Sequence, residues 1–198
     1  MIATAARCFA LGVDTVQRLT PTTAAGLKRE GMQFAVRYLG SVTAEELCAI
    51  LSAGLAFMPV TFAKHYNGMS AVAALRALSI PEGCTVWLDL EGETDPPAAI
   101  IAKINAWAGQ IQAGGYEAGL YVGAGCVLTS EELYRLKVTR YWDSCSREID
   151  RDGRAAAPRC DYCMTQMRPF NTTIAGVIVD VDVVQRDVMG RLPSWVVA

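Results

Sequence analysis

Histidine is almost missing from this chain of 198 residues, with His65 the single imidazole. Structural zinc sites take four protein ligands and catalytic ones three. The pair Cys160-x-x-Cys163 therefore lacks partners, with Cys145 the one further thiol nearby, and no metal is expected. Nor does that pair stand at a helix start, where a reactive thiolate would be stabilised. His65 follows Lys64 with no carboxylate beside it and reads as a solvated loop residue. Charge of one sign is also scarce. Eighteen Lys and Arg against 20 Asp and Glu leave a net charge of −2, and the basic residues are scattered. This pattern excludes nucleic acid or an anionic membrane as the main partner. Long apolar runs are lacking too. Residues 1–11 carry one arginine and a stretch too short for a signal sequence or a bilayer span, so no membrane insertion is expected. Seven cysteines, odd in number and mostly inside apolar segments, describe small buried hydrophobes folding in a reduced compartment. The expectation is synthesis in the cytoplasm without a recognisable signal peptide. A glycine-rich phosphate turn is missing as well: Gly12-Val13-Asp14-Thr15 is not one, which argues against an open doubly wound sheet.

What is present is a regular alternation of strand and helix. With 52% hydrophobic residues and 19% charged, the chain supplies one core, and residues 1–198 read as one domain. A short apolar run ends at Asp14, and Thr20-Pro21 then caps a helix that stops at Gly31. Residues 34–39 form the next strand, and Thr43-Ala44-Glu45-Glu46 opens a helix closing near Gly54. Residues 56–62 are β-rich despite Pro59, which suits an irregular or poorly paired position. Residues 70–78 are helical. Asp95-Pro96-Pro97 opens the longest helix, whose Ile100, Ile104, Trp107 and Ile111 recur at helical spacing and place Trp107 in the core. Residues 119–123 read as a strand, Thr129 caps a further helix, and residues 140–143 form a strand. Residues 146–159 read as a charged loop, and 161–166 and 176–183 complete eight strand candidates. Short connections predict right-handed βαβ units and a parallel sheet. The fold expected is α/β, a modified (β/α)8 TIM-like barrel. Such barrels usually take about 250 residues, so some helices must be short or missing.

The central strand carries the chemistry. Along an extended chain Trp87, Asp89 and Glu91 share one face, while Val86, Leu88 and Leu90 share the other. Two carboxyls on one face start roughly 6–7 Å apart at their Cα atoms. At that range each raises the other's pKa, so that one can stay protonated while its neighbour is ionised. Glycosidic hydrolysis asks for this arrangement. The other strands also end in polar or aromatic groups: Asp14, Arg37 with Tyr38, Thr61, Tyr121, Trp142 with Asp143, Gln166, and Asp180 with Asp182. In a barrel those ends converge on one mouth.

Taken in order, Gly-Val-Asp, Arg-Tyr, Asp-x-Glu, Gly-Leu-Tyr, a Trp, a Gln and Val-Asp-x-Asp resemble the glycoside-hydrolase-like domain related to family 25 lysozymes. The narrower resemblance is to its DUF1906 group, over about residues 11–187. That resemblance implies peptidoglycan glycan strands as partner, no cofactor, and cleavage of the β-1,4 bond after N-acetylmuramic acid. It implies Glu91 as general acid and Asp89 orienting the substrate acetamido group, with Asp14 and Asp180 as further acids. Arg37, Tyr38, Thr61, Tyr121, Trp142, Gln166 and Asp182 would bind substrate. Family 25 members commonly have Asn in place of Asp182. Action on the wall would follow release or injection. Two alternatives stay open: a glycan-binding barrel without turnover, and a metal-dependent hydrolase with Asp14, Asp89, Glu91, Asp180 and Asp182 around a hard cation. Oligomeric state is not legible.

Overall fold

The computed structural model describes residues 1–64, 67–123, 125–144 and 157–198. His65, Cys145 and most of the expected 146–159 loop therefore lie outside the described residues. In chain order the elements are β1 (Ile2–Ala5), β2 (Leu11–Asp14), α1 (Pro21–Arg29), β3 (Phe34–Tyr38), α2 (Ala44–Ser52), β4 (Ala56–Phe62) and α3 (Gly68–Ala77). There follow β5 (Thr85–Asp89), α4 (Pro97–Ala113), β6 (Glu117–Val122), α5 (Ser130–Tyr134), β7 (Arg140–Ser144), β8 (Met164–Ile174), β9 (Val177–Val184) and β10 (Ser194–Val197).

Helices start where their caps predict. Thr20, Thr43 and Thr129 each accept a hydrogen bond from the backbone N–H three residues on, satisfying a donor that a helix start leaves orphaned. Asn67 does the same for α3, so that helix begins at Gly68 rather than at the expected Ser70.

Strands β2 to β8 run parallel, and pairing of β4 with β5 helps close them, with β9, into an eight-stranded barrel. The eighth barrel strand departs from the expected parallel order: β9 is antiparallel to both β2 and β8. Its link to β8 is Ala175-Gly176, both at positive φ, and two residues make a hairpin. A parallel crossover takes a dozen residues or more. The late helices are short, as expected, with α5 only 5 residues long. Two strands went unforeseen. The terminal segments β1 and β10 pair with each other, and β10 meets β4 at Val196 and Phe57. Pro59 sits where that edge of β4 changes partner, since pairing with β5 begins at Val60.

Side-chain alternation sorts the core into two layers. Phe34, Val36, Met58, Val60, Trp87, Trp142 and Met164 fill the barrel. Val13, Ala35, Phe57, Val86, Leu88 and Leu120 face outward onto Leu27, Ile50, Leu75, Ile104 and Trp107 of the helices. Glycine makes the inner layer possible. A Cβ at Gly12 would lie 2.4 Å from the Phe34 ring, and one at Gly119 would lie 2.4 Å from Trp87. Among the described residues no helix is long and apolar enough to cross a membrane.

Candidate active site

Above the layer formed by Trp87 and Trp142, whose ring centroids lie 5.7 Å apart, the barrel opens into a cleft of about 620 Å³. Asp14, Tyr38, Glu91, Tyr121, Trp142, Gln166 and Asp180 line it, and so do Thr15, Val16, Gln17, Phe62, Ser144, Phe170, Asn171, Ile178 and Val179. Residues far apart in sequence thus share one hollow. The strand ends bring most of them there, but Asp180 arrives differently. On the reversed β9 it pairs with Asp14 in the first half of the strand, so it reaches the mouth before the strand ends.

Strand β5 stops at Asp89, and Glu91 stands on the exposed turn that follows. The simple alternation over 87–91 therefore holds for Trp87 and Asp89, both buried, but not for Glu91. The turn still brings Glu91 to the cleft. Asp89 lies beneath it: its Oδ2 accepts from the Tyr38 hydroxyl at 2.8 Å and its Oδ1 from the Glu91 N–H at 2.8 Å. Burial raises the Asp89 pKa, and these two donors oppose the rise. Burial beside Asp89 also pushes the Tyr38 phenol up, so it remains a donor. Phe62 stacks on the Tyr38 ring at 4.1 Å and holds it in place.

Across the cleft, the Gln166 amide bridges two acids. Its Nε2 donates to Asp14 Oδ2 at 2.8 Å and to Asp180 Oδ2 at 3.3 Å, while its Oε1 accepts from the Tyr121 hydroxyl at 2.9 Å. The Asn171 N–H donates to Asp180 Oδ1. Desolvation by burial lifts the Asp14 pKa to about 7; the Gln166 donor opposes that rise and the nearby Asp180 adds to it. A carboxyl with that midpoint exchanges a proton readily at neutral pH.

Several expected ligand contacts fall elsewhere. Arg37 faces outward from β3, 1% exposed, with Nε donating to Glu46 Oε1 of α2 at 2.6 Å and a second nitrogen to the Thr15 carbonyl. It does not line the cleft. Thr61 also faces outward and donates to the Trp87 carbonyl across β4 and β5 at 3.2 Å. The physical reason is parity: Tyr38 and Phe62, one residue further on, take the inner face. Asp182 lies below the floor, fully buried, and accepts from the Trp142 indole N–H at 2.9 Å. Trp142 and Tyr121, 4.5 Å apart, reach the cleft but are themselves buried at 3% and 7% exposure. They form a floor rather than an open platform. Residues overlooked from sequence are Phe62, at the tip of β4, and Phe170 with Asn171, on the extended part of β8. The strand reading to 166 stopped short of the second pair, because polar and aromatic residues after Gln166 lack a clean two-residue period. Among the described residues no group of three or more His, Cys, Asp or Glu side chains could hold a metal ion, and all six described cysteines are free thiols.

A family model described as the Rv2525c-like, glycoside hydrolase-like domain matches residues 14–184 of this chain. The chain belongs to that family. Solved structures share the fold of this Rv2525c-like domain. An uncharacterized B. stearothermophilus protein superposes with a TM-score of 0.69 at 20% identity, over 89% of this chain and 96% of that one. The Mycobacterium tuberculosis Tat-secreted protein Rv2525c, solved with L-tartrate, gives 0.63 at 14% identity, over 92% and 98%. A muramidase from Trichobolus zukalii gives 0.62 at 12% identity, over 91% and 95%. At these identities the likeness is one of fold. Among curated proteins none matches this chain significantly.

Proposed function

We propose that this Rv2525c-like domain hydrolyses bacterial peptidoglycan at the β-1,4 bond after N-acetylmuramic acid. The observation that carries the reading is the gathering of Glu91, Asp14 and Asp180 around one cleft of sugar-binding size, with Asp89 buried directly beneath Glu91. In the proposed reaction Glu91 gives its proton to the glycosidic oxygen as that bond breaks. The substrate's own acetamido oxygen bonds to the anomeric carbon, with Asp89 accepting from the acetamido N–H. Water then opens the cyclic intermediate and returns a proton to Glu91. This variant dispenses with a carboxylate nucleophile. Rims of Val16, Phe62, Phe170 and Ile178 offer apolar surfaces to sugar faces, and the carboxylates and Gln166 offer acceptors and a donor to hydroxyls.

The test is mass spectrometry of fragments from purified sacculi. Glu91→Gln keeps shape and removes the transferable proton, so fragment release should fall by about 10²–10⁴-fold while sacculus binding persists. Release at the wild-type rate would remove Glu91 from the role. One observation favours a second reading, a barrel that binds glycan without cutting it. Glu91 stands on an exposed turn, whereas general acids are commonly kept protonated by burial. Retention on sacculi with no new reducing ends from the wild-type protein would select that reading.

A further inference from the structure

Five carboxyls meet in or under this cleft, and one of them is engaged in a way the proposed reaction does not use. Asp182 is 0% exposed, and its Oδ1 accepts from the Trp142 indole at 2.9 Å. Its Oδ2 is buried, and among the described residues no N–H or hydroxyl donates to it. Register places Asp14 opposite Asp180 and Gly12 opposite Asp182, so Asp14 and Asp182 are diagonal neighbours on the inner face. Their side chains face each other within reach of a hydrogen bond. Two carboxyls can share such a bond only if one carries a proton.

The site decides which one. Asp182 is the deeper carboxyl, and the charges facing it are the acids Asp14 from β2 and Asp180 from its own strand; the neighbours on β7 and β8 are the uncharged Trp142 and Gln166. Among the described residues that line the cleft above, none is basic. An ionised Asp182 would be a desolvated charge beside like charges, supported by one indole. Asp14 opens onto the cleft and already accepts from Gln166.

We infer that Asp182 is a neutral carboxylic acid that donates its proton in a hydrogen bond to Asp14, and is a positioning residue for that carboxylate. Asp182 accepts from Trp142 through one oxygen and donates to Asp14 through the other, the pattern a carboxamide would offer. Asp14 thereby receives donors from both Asp182 and Gln166, which fix the plane of its carboxylate toward the cleft. Holding Asp182 neutral also removes one negative charge from a floor that already carries several. The burial of Asp182 and the sign of its neighbours agree, since both raise its pKa well above the ordinary carboxylate value.

The assignment is independent of whether the cleft cuts glycan, and a carboxyl readout separates the two. Aspartate carboxyl carbons in the ¹³C-labelled protein would be followed by NMR from about pH 4 to 9. The signal lost in Asp182→Asn should remain that of a protonated acid through neutral pH, and the Asp14 midpoint should lie near 7. In Asp182→Asn the amide replaces one neutral donor by another, so the Asp14 midpoint should move by less than about half a unit. An ionised Asp182 would instead be a like charge removed, and the midpoint would fall by about one unit or more. That fall, or an Asp182 signal that titrates in the ordinary carboxylate range, overturns the inference. Asp182→Leu removes the donor and should raise the Asp14 midpoint. Where that variant does not fold, the wild-type signal and the Asn variant decide. Absence of fragment release from wild-type sacculi would remove the hydrolase reading and leave this assignment standing.

Discussion

Gly123 decides where the Glu91 carboxyl can stand. A Cβ at Gly123 would lie 2.8 Å from Glu91 Oε1 and 2.8 Å from the edge of the Tyr121 ring. The glutamate tip is flexible and would yield, whereas the Tyr121 ring is buried and held by Gln166, so the substitution moves the carboxyl and also presses on the cleft floor. In Gly123→Ala, turnover of sacculi should drop by about 10–100-fold in protein that still unfolds cooperatively, since misplacing a reacting group by about 1 Å costs on that order. Wild-type turnover in that variant would show that Glu91 is not the group being placed. This constraint is invisible in the sequence, where Gly123 reads simply as the end of a strand. Glu91 itself was legible from its spacing to Asp89, although an exposed turn presents it rather than the strand face that spacing implied.

Strand β3 and helix α2 are joined by Arg37 and Glu46, an ion pair with side chains 1% and 0% exposed. The same pair reaches the connection after β2: Arg37 donates to the Thr15 carbonyl, and the Leu19 N–H donates to Glu46 Oε1 at 2.8 Å. Thr15, Val16 and Gln17 form one wall of the cleft, so Arg37 shapes the site without touching a ligand. Arg37→Met leaves Glu46 as a buried unpaired charge and should cost about 3–5 kcal/mol in chemical denaturation. Adding Glu46→Leu should restore much of that loss, because the pair's desolvation cost disappears with it. A single-variant loss below about 1 kcal/mol would mean that water reaches Glu46. From sequence, Arg37 beside Tyr38 looked like a ligand contact because both stand at a strand end. Which of two consecutive residues faces inward depends on the pairing register, and that is set across strands.

For the barrel as a whole, buried acids tie stability to pH. Asp14, with its pKa raised from 3.8 to about 7, and Asp89 and Asp182, also raised, bind protons more tightly in the folded state than in the unfolded chain. Their stabilising contribution is therefore complete below the unfolded value of 3.8 and is lost as pH rises through the folded midpoints, for Asp14 near 7. Denaturation midpoints should accordingly be lower at about pH 7.5 than at about pH 5. Asp14→Asn should flatten that slope, and a flat profile in the wild-type protein would show these carboxyls ionised throughout. By itself the sequence determined the starts of α1, α2 and α5, the alternation of Trp87 with Leu88 and the placing of Asp14 and Asp89 at strand ends. Those features arise within three or four neighbouring residues, as caps and as the two-residue period of a strand. Tertiary structure alone decided the reversal of β9, the β1 and β10 ribbon, the outward turn of Arg37 and Thr61, and the placing of Asp182 diagonally from Asp14. Each of these rests on contacts between distant segments, such as Gln166 to Asp14 across 152 positions, and packing selects such contacts only once the barrel has closed.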